Sequence, residues 1–157
     1  PISAPVVYAK PGHACPPLGA VDDWLLDNAA EAAGGIVLLD RGPSEPADAC
    51  PFPGRYFASK VMQAQRAHAL AVIVANSAPP ANSTDGLVYM GAVDGDASAS
   101  IRIPSIFVTY ATGEIIKRQL SSGVRASFSK PTGRLPILVP GMPQVGAADA
   151  EMLRYYQ

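Results

Sequence analysis

"KVMQAQRAHALAVIVAN", residues 60–76, joins two kinds of order with no glycine or proline between them. The first half continues a small-residue helical pattern that begins near Phe57. The second, "LAVIVAN" at 70–76, is a continuous apolar run, short and rich in β-branched residues, as expected of a strand buried on both faces. On a helical wheel Phe57, Ala58, Val61, Met62 and Ala69 share one arc, while Lys60, Gln63 and Arg66 point the other way. The small side chains of the first arc let the helix lie close to a sheet. Gln65 falls inside that arc, so its amide needs a partner, expected in the backbone. The chain must reverse within a residue or two, which calls for a left-handed residue at the helix end. Glycine is usual there, but histidine is among the residues enriched at positive φ. His68 is therefore read as the joint, a backbone device before a chemical one.

Outward from this stretch, strands and helices alternate. Strands are expected at 4–9, 35–40, 70–76, 103–110 and 124–129, with a further short one at 86–91. Helices are expected at 21–33, with Val21, Trp24, Leu25 and Asn28 on one face, at 57–68, and at 111–123. The last has Thr112 or Gly113 as its cap, Ile115, Ile116 and Leu120 as its apolar face, and Gly123 as its stop. Sixteen prolines and fourteen glycines cluster at 11–19, 42–54, 79–86 and 131–143. The block "PTGRLPILVPGMPQVG" reads as a tail or linker with one possible edge strand at Leu135 to Val139. The end, "AADAEMLRYYQ", suits a short helix with Met152, Leu153 and Tyr156 on one face. The expected organisation is one domain over 1–130 and a Pro/Gly-rich tail over 131–157.

The 157 residues suffice for one sizeable core. A net charge of −1 and a pI near 6.1 give no basic field for nucleic acid or an anionic membrane surface. No apolar run approaches the roughly 18 residues of a membrane span. The sequence opens at Pro1 without an initiator methionine, and so reads as excised from a longer precursor.

"GIVLLDRG", then Cys50, then "KVMQAQRAHALAVIVAN", then "IRIPSIFVTYATGEIIKRQL" resembles the protease-associated (PA) domain. That family runs strand, Asp-Arg-Gly, Cys, Phe, Lys-x-x-Asn-Ala-Gln, x-Ala-Gly-Ala, apolar strand, and later Ile-Pro-Ser before a helix. The upstream "VVYAKPGHACPPL" is similar to the first strand and first cysteine of PA domains in luminal sorting receptors and membrane-anchored ubiquitin ligases. The resemblance spans about residues 4–129. It departs at Gln63, where the family has Asn, and at His68, where it has Gly. Insertions lengthen the chain between Arg41 and Cys50 and between Cys50 and Lys60, and either Phe52 or Phe57 stands for the family's Phe.

The resemblance implies an α+β fold, with a β-sandwich-like or open-barrel-like core and peripheral helices. It also implies a non-catalytic module that recognises a peptide or protein ligand. The contacts would come from the loop between Arg41 and Cys50, above all Arg41, Gly42 and Pro43, with Ser44, Glu45 and Asp48 secondary on exposure alone. Arg41 offers a planar donor fork to a carboxylate or carbonyl, or else packs on its own strand end. Asp40 is read as capping the turn after its strand. Cys15 and Cys50 correspond to cysteines that pair in the family. Two cysteines in an excised chain favour one disulfide, against two buried thiols or a metal site with His13 nearby.

Catalytic patterns are missing: there is no nucleophile elbow, zinc-protease helix, P-loop or dinucleotide fingerprint. A Cys50–His68 nucleophile pair would need a free thiolate. Asp94 and Asp96 sit two apart as in a calcium loop, yet the required later carboxylate is Ser105, so a solvated turn is the plainer reading. No metal or cofactor is expected. "NST" at 82–84 makes Asn82 a candidate glycosylation site. Three functions remain: the luminal recognition domain of a sorting receptor or membrane-anchored ubiquitin ligase, an insert or lid of a protease, and a stand-alone enzyme. The first is favoured by the cysteine in "AKPGHACPPL". The first two imply an adjoining transmembrane or catalytic domain, and a secretory-pathway lumen or the cell exterior.

Overall fold

A computed structural model describes residues 1–16, 24–42, 50, 56–79, 81–90 and 97–129. The continuous apolar runs become the middle of one five-stranded sheet. Its strands are β1 (Ile2–Tyr8), β2 (Ile36–Asp40), β3 (Ala71–Ala75), β4 (Ser105–Val108) and β5 (Arg125–Phe128), in the order β4-β3-β2-β1-β5. The first four are parallel, and β5 returns antiparallel to β1, with Ala4 opposite Ala126. Helices α1 (Ala29–Ala32), α2 (Phe57–Arg66) and α3 (Tyr110–Gln119) flank it, with 3-10 turns at Ala97–Ser100 and Leu120–Ser122. This is the expected α+β class with a curled, open-barrel-like sheet and peripheral helices.

Parallel strands covered on both faces lose the in-out alternation of an amphipathic strand. In β2 and β3, Val37, Leu39, Val72 and Val74 face one core, joined by Val61 and Ala64 of α2. Ile36, Leu38, Ala71 and Ile73 face the other, with Ile116 and Leu120 packing against it from the α3 side. Gly113 lets α3 come close, because a Cβ there would stand 2.4 Å from Ala75 Cβ.

The joint after α2 is at His68, with φ 59°. Ala69 N donates to Ala64 O at 3.0 Å and His68 N to Gln65 O at 2.9 Å, the paired bonds of a Schellman motif. Gln65 finds backbone partners as expected: Nε2 donates to Ser100 O at 3.0 Å, and Oε1 accepts from Arg102 N at 2.6 Å.

Three local expectations are corrected. Of the helix expected over 21–33, residues 21–23 lie outside the described residues; within 24–33 only Ala29–Ala32 is helical, and Leu26 rather than Leu25 enters the core. Asn28 is the cause. Its Nδ2 donates to Tyr8 O and its Oδ1 accepts from Lys10 N, both at 2.9 Å, while Asp27 N donates to Lys10 O at 2.8 Å. This stretch spends its polar groups on the end of β1 instead of on a helix. No strand forms over 86–90, where Gly86 O serves a side chain and not a ladder. The cap of α3 is Thr109, whose Oγ1 accepts from Thr112 N at 3.2 Å; Thr112 and Gly113 lie inside the helix.

Candidate ligand-binding edge

Because β1 to β4 run parallel, their carboxyl ends and the chain leaving them gather on one edge of the sheet. In open sheets of this kind ligands bind at that edge. Arg41 is the first residue past β2. Its N–H donates to Ala75 O at 2.7 Å, which prolongs the β2–β3 pairing by one residue. Its exposed guanidinium then donates to Asn76 Oδ1 at 3.3 Å. Asn76, buried just past β3, also donates through Nδ2 to Gly86 O at 3.0 Å and accepts from Ser77 N at 2.9 Å. Ser77 Oγ donates to Gly42 O at 2.6 Å. One arm of Arg41 is thus pinned to the strand end, as its packing reading expects, while the residue stays exposed.

Gly42 turns with φ +90°, and the space where its side chain would stand lies 3.4 Å from His13 Cγ and 3.6 Å from Lys60 Nζ. The 10–16 segment crosses beneath, held by Asp40 N donating to Gly12 O at 2.8 Å and by the Cys15–Cys50 disulfide, with a Cα–Cα distance of 5.3 Å. The expected disulfide is therefore present, and the Cys50–His68 nucleophile pair is excluded because Cys50 is bonded. Among the described residues no cluster of three potential metal ligands occurs.

Lys60 is the correction that matters most here. It was expected on the exposed arc of its helix, yet it is 1% exposed. Its Nζ donates to His13 O and lies 3.0 Å from Cys15 Sγ and 3.7 Å from Cys50 Sγ. Burial lowers its pKa to about 8, against an opposing pull from Asp40. His13 is pushed below the usual histidine range, first by burial and then by the Lys60 ammonium.

Asp40, read as capping the turn after its strand, bonds elsewhere among the described residues. It accepts from the Tyr8 hydroxyl and pairs with Lys117 Nζ at 2.8 Å, while Lys117 also meets Glu114 Oε1 at 2.9 Å and lies 5.2 Å from the centre of the Tyr8 ring. Burial and the Asp40 bond raise the Tyr8 pKa to about 12. A further anchor is Asp85, whose carboxylate accepts from Tyr110 N and Ala111 N, both at 2.8 Å. It satisfies the first donors of α3 and ties the 76–90 segment to it.

Of the sequence-derived ligand set, the structure places Arg41 and Gly42 at this edge. Pro43, Ser44 and Glu45 lie outside the described residues, as do Asp48, Phe52, Asp94, Asp96 and the tail from 131 onward. Sequence reasoning missed Asn76, Asp85 and Lys60. The signal for Asn76 was a polar residue closing the apolar run "AVIVAN"; that for Lys60 was its place in the motif after Cys50.

The described site is thus a pinned, exposed arginine at the carboxyl edge of an open α+β sheet, beside a disulfide-tied segment. The PA domain profile matches residues 2–116, and the chain belongs to the PA domain family. No curated protein matches the chain. PA domains mediate protein–protein interaction, so the partner is a protein or peptide. The disulfide belongs to an oxidising compartment, extracellular or within the secretory pathway.

Proposed function

We propose that this domain is a non-catalytic recognition module that reads an extended peptide across the Arg41–Gly42 turn. The observation that carries the reading is the state of Arg41. Its backbone and one guanidinium nitrogen are fixed by β3 and Asn76, while the side chain stays exposed. A guanidinium held this way has already lost part of its rotamer freedom, so binding a carboxylate or carbonyl costs less ordering. Pro43, Ser44 and Glu45 follow directly in the chain and are assigned to the same contact. In the full-length protein we assign the domain to the luminal part of a sorting receptor or membrane-anchored ubiquitin ligase. The position of Cys15 in "AKPGHACPPL" supports this over the lid of a protease.

A peptide-library screen on the oxidised domain, with Arg41→Ala beside it, tests the reading. Sequence-selective binding that drops at least tenfold in a folded Arg41→Ala domain is the expected result. Selective binding untouched by that substitution moves the site elsewhere, and no selective binding at all leaves the lid reading.

A further inference from the structure

We propose that Asn82 carries an N-linked glycan, displayed at the tip of a loop whose neck is the Arg41–Asn76 corner. The acceptor triplet Asn82-Ser83-Thr84 lies in a stretch, 81–84, in which every residue is exposed. Asn82 sits in a turn with φ 66°, and among the described residues nothing holds its amide. Ser83 and Thr84 follow in irregular backbone, so neither the amide nor the Thr84 hydroxyl is locked in a helix or ladder.

The loop is fixed at both ends, which is what keeps its tip outward. Ser77 Oγ holds Gly42 O on the way out. On the way back Asn76 Nδ2 holds Gly86 O, and Asp85 is clamped to the start of α3. Asn82 is four positions before Gly86, so the glycan root lies within about 14 Å of the neck. A left-handed turn alone would favour asparagine at position 82, but it gives no reason for a hydroxyl residue two positions later. The disulfide supplies the second, independent requirement, because it belongs to the compartment family in which N-glycans are added.

The co-substrate is a polyprenyl-diphosphate-linked oligosaccharide. Asn82 Nδ2 forms a bond to C1 of the first sugar, the C1–O bond to diphosphate breaks, and its electron pair leaves with the polyprenyl diphosphate. The amide proton passes to a base of the transferase. The inference stands apart from the ligand reading, since it needs only the loop and the compartment.

The test is secretion of the chain from a eukaryotic host, followed by amidase deglycosylation, intact mass and peptide mapping. The expected result is a mass loss on deglycosylation, with Asn82 recovered as aspartate. The modification is retained in Thr84→Ser and abolished in both Thr84→Ala and Asn82→Gln. Thr84→Ala leaves the left-handed residue in place, so its loss of glycan cannot be blamed on a disturbed turn. Secreted, disulfide-bonded protein with Asn82 unmodified overturns the proposal, as does a modification that survives Thr84→Ala.

Discussion

Lys60 makes the pH dependence of stability run in an unusual direction. Among the described residues no carboxylate pairs with its buried ammonium, which rests on one carbonyl and the disulfide sulfurs. Its folded pKa, about 8, lies below the ordinary 10.5 of an unfolded chain. Below about pH 8 both states hold the proton, and the fold bears the full cost of the buried charge, about 3 kcal/mol. Between the two values the unfolded chain binds more protons, so stability rises with pH. From about pH 7 to about pH 9.5 the gain is about 2 kcal/mol. For a chain of this size that raises Tm by about 4–8 °C. The Tyr8 hydroxyl opposes the trend only above pH 10, because its folded pKa is raised to about 12. Denaturant titrations and thermal melts across this range read the slope, and Lys60→Met removes the titrating group. A wild-type curve that is flat or falls over this range, or a Lys60→Met curve that rises equally, refutes the assignment of a buried ammonium.

The remaining predictions concern the joints of the fold. Replacing both Cys15 and Cys50 by serine reopens a loop of 35 residues and lowers stability by about 3–4 kcal/mol, read by denaturation of the oxidised protein against the variant. Gly113→Ala forces a Cβ to 2.4 Å from Ala75 Cβ and costs about 1–3 kcal/mol by overpacking. Gly86→Ala, with nothing within 4 Å of the added Cβ, stays close to wild type in the same melt. Asp85→Ala uncaps α3 and releases the 76–90 segment. It costs about 1 kcal/mol, with faster amide exchange at Tyr110 and Ala111 as the local readout.

The central sheet was legible because burial on both faces writes itself as unbroken runs such as "IVLL" and "AVIVA". His68 was legible for a related reason: a helix that must reverse into a strand needs a left-handed residue, and few residue types tolerate it. Helix α1 was overextended because helical spacing ignores what a side-chain amide does locally. Asn28 gains two bonds to the end of β1, which no periodicity reveals. Lys60 was misplaced because a helical wheel sorts residues by type, while burial here follows from the disulfide and the His13 carbonyl arriving on the same side. Nor does sequence bring Tyr8, Asp40 and Lys117 together, since the meeting depends on strand order and on α3 crossing the sheet. At the candidate edge the Asp-Arg-Gly motif pointed to Arg41 and Gly42. The residues that fix them, Asn76 and Ser77, lie 35 positions from their partners.

The central claim, that ligand is read at the carboxyl edge through Arg41, is tested most directly by amide-resolved NMR during titration with a peptide selected from the library. Shift changes and line broadening confined to Arg41, Gly42, Asn76, Ser77 and the 43–45 segment, and lost in Arg41→Ala, are the predicted result. Perturbations centred on the α3 and β5 side, with the Arg41 corner silent, contradict it.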